Sequence, residues 1–175
     1  MGLFCLAKNN YPEREERGKN MHSRIFQLSK KPVTNFLTGY DMEDHPSFLG
    51  PIADYVTDVS EERRRDAIKW LGEAPGIEID GDQLKIVSKK EYFAGYFQEF
   101  QKAIRNAAAG TLEDFIRPEM MYSLYDIERA VRDKFGFYAV LSDSYFNDVI
   151  PLTDFVRSSS EGEVWHLGSV LDYHY

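Results

Sequence analysis

Residues 88–110 constrain this chain more than any other stretch. Phe93, Tyr96, Phe97, Phe100, Ile104 and Ala107 recur at helical spacing and form one broad apolar stripe. Ser88-Lys-Lys-Glu91 has the pattern of a capping box, and Gly110 marks the exit. A helix with such a stripe needs a cover, and the simplest cover is the protein's own core. The rest of the chain must therefore supply a surface for this helix to lie on.

Strand signals stand on both sides of it. Residues 23–28 read as a strand that Lys30-Lys31-Pro32 ends. Ile77-Glu-Ile79 and Leu84-Lys-Ile86 alternate around Asp80-Gly-Asp-Gln83, and apolar pairing favours Ile79 opposite Leu84 and Ile77 opposite Ile86. Residues 137–141 form an apolar, β-rich central strand, and residues 163–175 a long final one that bends at Gly168. Ser60, with Glu61 and Glu62 behind it, caps a helix that carries Ala67, Ile68 and Leu71 on one face. Thr111 caps a short helix ending before Pro118; Met120, Met121, Leu124, Ile127 and Val131 mark another; residues 152–157 mark a last one. Residues 34–59 are punctuated by Gly39, Pro46, Gly50 and Pro51, with a short helical piece expected at 52–56. Helices are grouped between strands rather than alternating with them. This order predicts an α+β fold, with a mixed or antiparallel sheet of about five strands packed against several helices.

The size of the chain fits one domain, over residues 21–175. Residues 1–20 have no apolar period after Ala7 and read as a disordered leader or arm. Glu15-Glu-Arg-Gly18 can be encoded by purine-rich codons at ribosome-binding distance, which makes Met21 the expected start. No apolar run reaches the ~20 residues of a membrane span. Cys5 is the only cysteine, so an internal disulfide is ruled out and a cytoplasmic protein is expected. The formal charge of −8 is uneven: residues 1–35 carry seven Lys/Arg and three Asp/Glu (+4), the remainder fourteen and twenty-six (−12). That field repels phosphate backbones, disfavours direct nucleic-acid binding and attracts basic protein surfaces.

The phosphate-cradling, nucleophile-elbow and zincin motifs (GxGxxG, GxxxxGK[ST], GxSxG, HExxH) are absent. Counted by twos along the last strand, His166, Val170, Asp172 and His174 share one face, opposite Trp165, Leu167, Leu171, Tyr173 and Tyr175. Asp172 and His174, about 6.7 Å apart along a strand, are the candidate catalytic pair for a hydrolase or nuclease. The simpler reading turns their face to solvent, as a one-sided sheet requires. Asp41, Glu43, Asp44 and His45 form an acidic knot whose spacing does not match a calcium loop; no metal site or cofactor is expected. Arg63-Arg-Arg65 is flanked by acids and reads as a salt-bridged helix surface.

Four runs carry a family resemblance: Met21-His-Ser-Arg-Ile-Phe-Gln-Leu-Ser, Gly50-Pro-Ile-Ala-Asp-Tyr-Val-Thr-Asp, Phe135-Gly-Phe-Tyr, and the ending Gly168-Ser-Val-Leu-Asp-Tyr-His-Tyr. Together they resemble a family of small uncharacterised proteins from gut Firmicutes and their mobile elements. In size and charge the chain is also similar to inhibitors of host defence, such as anti-CRISPR and antirestriction proteins. The resemblance implies a non-enzymatic interaction protein with a basic, nucleic-acid-handling partner. The expected contact residues are Asp41, Glu43, Asp44, Asp54 and Asp58. A self-associating structural protein is the further alternative.

Overall fold

In the computed structural model, residues 22–43, 45–118, 120–143 and 148–175 are described. The expected leader and the start at Met21 lie outside them, as does Asp44. The strands are β1 His22–Ser29, β2 Tyr55–Asp58, β3 Ile77–Asp80, β4 Gln83–Ile86, β5 Tyr138–Leu141, β6 Asp148–Pro151 and β7 Val164–His174. The helices are α1 Glu61–Gly72, α2 Lys89–Ala108, α3 Leu112–Phe115, α4 Met120–Arg132 and α5 Leu152–Ser158, and a 3-10 turn covers Tyr40–Met42.

The α+β class is as expected, but the sheet is larger, with seven strands in the order β3-β4-β7-β1-β5-β6 and β2 added on β7. The sheet is mixed, since β1 and β5 run parallel while the other pairings are antiparallel. The two unforeseen strands, β2 and β6, are four residues each. β2 replaces the short helix expected at 52–56. Tyr55 and Val56 are β-favouring side chains, and the long edge of β7 offers them a ladder that an isolated helical turn could not match. The hairpin keeps the expected register, Ile77 opposite Ile86 and Ile79 opposite Leu84, and pairs once more at Asp80 and Gln83. Gly81, at φ 58°, then turns the chain.

Strand β7 is the hub. One of its edges pairs with β1 along most of its length; the other holds β4 near its start and β2 near its end. Both of its faces are covered. Phe26, Leu28, Leu84, Ile86, Leu167 and Val170 lie under α1, α5 and the start of α2. Ile25, Tyr138, Val140, Leu171 and Tyr173 lie under the chain between Leu37 and Ala53. On that second side Phe48, Tyr138 and Tyr173 meet edge to face at 4.9–5.6 Å between centroids. Tyr138 donates its hydroxyl to the Lys134 carbonyl and Tyr173 to the Gly136 carbonyl, both at 2.6 Å. Burial pushes both phenols well above the ordinary tyrosine range, with neighbouring Asp133 adding to it.

A bulge resets β7. Phe26 pairs with Val170 and Leu28 with Leu167, so Gly168 and Ser169 together oppose the single Gln27. Buried Gln27 fills the gap: its carbonyl accepts from the N–H of Ser169 and of Leu37, and its amide donates to the Asn35 carbonyl. A Cβ on Gly168 would fall 2.4 Å from that carbonyl oxygen. The bulge overturns the face assignment made by counting twos. Asp172 and His174 lie on the same side as Trp165, Leu167 and Val170, while His166 faces the other way. The expectation that the Asp172 face meets solvent also fails, since Asp172 is only 9 % exposed.

Candidate functional site

At the open end of the sheet, three strands place polar side chains in two rungs. Tyr55, His174 and His22 are successive cross-strand neighbours, and so are Thr57, Asp172 and Arg24. The Tyr55 ring stacks on His174 at 5.1 Å and 2°, and His22 meets His174 edge-on at 5.1 Å. Asp172 and His174, the alternative candidate catalytic pair, each take a partner of their own. Asp172 is ion-paired with Arg24 and lies 3.0 Å from Nδ1 of His22; His174 Nδ1 lies 3.1 Å from Asp54. A carboxylate can only accept, so each imidazole donates from Nδ1 and its Nε2 is left outside these two contacts. The Arg24–Asp172 pair is mostly shielded, and Arg24 Nε is buried without a hydrogen-bond partner. An ion pair so placed is a poor general base but a firm anchor.

Helix α1 walls this end. Ser60 caps it by accepting from the Arg63 N–H, as expected. Arg64, the middle of the basic triplet, crosses to Asp82 and to the Gly168 carbonyl and so is tied to the sheet side rather than to acids of its own helix. Arg63, Asp66 and Trp70 project from one side of α1 toward His22, Arg24 and Asp172 and enclose an open cleft of about 400 Å3. Among the described residues, the Arg63 guanidinium, the Asp66 carboxylate and the Trp70 ring have no polar or ring partner. Sequence reasoning missed His22, Tyr55, Arg63 and Trp70 as neighbours. No local pattern carries that information, because they meet only when the first and last strands pair.

The expected contact acids are dispersed into local roles. Asp41 accepts from the N–H and hydroxyl of Thr38, which hold its carboxyl below the usual range. Asp58 accepts from the Gly39 N–H, Asp54 is taken by His174, and Glu43 is exposed after the 3-10 turn. His45 lies beside Ser47. Among the described residues no cluster of three or more His, Cys, Asp or Glu could hold a metal ion. No helix among them is long and apolar enough to cross a membrane.

Helices α2 and α4 pack along each other, with α3 between them in sequence, and form an arm. The start of α2 is core: Ser88 accepts from the Glu91 N–H, and Tyr92 is buried beside Phe93 and Tyr96. The expectation that the whole α2 stripe is core fails further out. Phe97 is 58 % exposed and Ile104 42 %. A helix of 20 residues spans about 30 Å; the start of α2 lies on the core, and along its length it packs against α4. Leu112, Phe115 and Ile116 at α3 are 67–74 % exposed, and Met121 and Tyr122 of α4 65–70 %. The α3 cap is complete: Thr111 and Asp114 exchange hydrogen bonds, which lowers the Asp114 carboxyl. No protein-family model, curated protein or solved structure matches this chain.

Proposed function

We propose that this chain is a non-enzymatic interaction protein that docks on a protein partner through the α2–α3–α4 arm. The observation that carries this reading is the exposed apolar set on the arm. Its aromatic members alone (Phe97, Phe115, Tyr122 and Tyr125) leave roughly 350–600 Å2 in solvent at the usual 150–250 Å2 per ring. Ile104, Leu112, Ile116, Met121 and Leu124, on or beside the same three helices, are also more than 40 % exposed, and exposed apolar side chains gathered on one feature mark an interaction surface. Aromatic and Met side chains are also the residues enriched at interface centres. The narrower form of the reading is inhibition of a basic, nucleic-acid-handling defence effector; the −12 charge of residues 36–175 supports it, since such a field speeds encounter with a basic surface.

The test is capture of partners from a bacterial lysate by the native chain and by a Phe115→Ser/Tyr122→Ser variant. A partner held by the first and lost by the second supports docking through the arm. Retention by both places the contact elsewhere. If the partner is a basic nuclease, neutralising Asp41, Glu43, Asp44, Asp54 and Asp58 slows association and flattens its salt dependence. Light scattering shows whether the arm instead joins two copies of the chain.

A further inference from the structure

The cleft between α1 and the rung end of the sheet has a donor and acceptor layout of its own, separate from the arm. The α1 wall offers an aromatic face, Trp70, which is 51 % exposed and has no ring stacked on it among the described residues. One turn back stands Asp66, an acceptor with no donor among the described residues; three residues before it stands Arg63, whose guanidinium has no acceptor among them. At helical rise, Asp66 and Trp70 lie about 6 Å apart along the axis and Arg63 about 4.5 Å beyond Asp66. The floor adds His22, whose Nδ1 is taken by Asp172, which leaves Nε2 for a ligand. Arg24 neutralises Asp172, so the floor presents little net charge.

We propose that this cleft binds a guanine nucleoside. The ring stacks on Trp70, as bases stack on exposed aromatic side chains. The Arg63 guanidinium donates to O6 and N7, the fork-to-edge pairing by which arginine reads guanine. Asp66 accepts from N1–H and the exocyclic amine, which lie on the adjacent edge. A ribose hydroxyl donates to Nε2 of His22. The cleft volume, about 400 Å3, falls within the ~300–1,000 Å3 of small-ligand sites. Phosphates, if the ligand carries them, point outward, because the acidic body disfavours their burial. Adenine fits poorly: its N1 is a lone pair that would face the Asp66 carboxylate, and its 6-amino group would face Arg63.

The experiment titrates the full chain with guanosine, adenosine and uridine, followed by tryptophan emission and by equilibrium dialysis. Trp70 is the exposed reporter, since Trp165 is 8 % exposed and packs on Phe155. Saturable binding of guanosine with quenching, about 10- to 100-fold tighter than adenosine, is the expected result. Asp66→Asn removes that preference without moving the thermal midpoint, because Asp66 has no partner to lose among the described residues. Trp70→Ala weakens guanosine in the dialysis arm. Absence of saturable binding by any nucleoside up to millimolar concentration overturns the proposal, and so does equal binding of guanosine and adenosine. Guanosine binding that Asp66→Asn and Trp70→Ala leave intact overturns it as well, by placing the ligand elsewhere.

Discussion

At the rung end of the sheet, polar side chains are paired off: the shielded Asp172 holds Arg24 and His22, and the exposed Asp54 holds His174. In the helical arm, apolar side chains sit in an exposed place and are left uncovered, with Leu112 and Ile116 at 72 % and 74 %. Each region departs from the rule of apolar inside and polar outside, in opposite senses. The first departure is compensated inside the molecule by ion pairs and ring contacts. The second is compensated by nothing among the described residues. Satisfied polar groups at depth read as structure, whereas unsatisfied apolar groups at the surface read as a place for another molecule.

The contrast breaks most easily in the core beneath the rungs. Phe26→Ala, at a fully buried position, should cost about 3–5 kcal/mol, measured by urea unfolding. Arg24→Met leaves the Asp172 carboxylate without its ion-pair partner and should cost about 3 kcal/mol, much of it recovered in Arg24→Met/Asp172→Leu. If the double variant is no more stable than the single, the pair is not what anchors that end.

Alkali gives a graded test of the same region. Unfolded tyrosines lose their protons near pH 10, while Tyr138 and Tyr173 hold theirs to higher pH in the fold. Their contribution is whole below about pH 10 and is lost as pH rises toward the folded values. Tyr173→Phe should flatten that fall, read as stability against pH between 9 and 11 by urea titration.

The arm should respond weakly by comparison. Thr111→Ala removes the α3 cap at a cost of about 1 kcal/mol, seen as lost helical dichroism with little change in the main unfolding transition. Asp114 is depressed by the Thr111 N–H and hydroxyl, so the cap is present above the ordinary carboxylate range and fades as pH falls below it. Phe115→Ser should change stability by less than about 0.5 kcal/mol, and a loss comparable to that of Phe26→Ala would mean the arm is packed and the contrast is false.

Much of the fold was legible because local chemistry decides it. Ser60, Ser88 and Thr111 each cap the helix they were expected to cap, and alternation in 77–86 set the hairpin register. What was illegible depends on distant pairing. β2 forms because β7 offers an edge, and nothing within residues 55–58 announces that edge. The α2 stripe spoke of burial, but whether a stripe is buried depends on what the rest of the chain lays over it, and Phe97 stays exposed. Asp172 and His174 stand out in the sequence; their partners in the fold, Arg24, His22 and Asp54, stand 120 residues or more away.

The bulge opposite Gln27 works as a phase marker. On either side of it, odd and even positions of β7 exchange meaning, so the strand is written in two frames. If the bulge were ironed out with Ser169 kept in the ladder, the last six residues would slide by one step while every side chain kept its identity. Leu171 and Tyr173 would trade sides with Asp172 and His174, sending a carboxylate toward Phe48 and a phenol toward Trp70. The short irregularity around Gly168 thus decides which side of the sheet is greasy and which is charged at its far end. Its loss should be felt there, and not at the bulge itself.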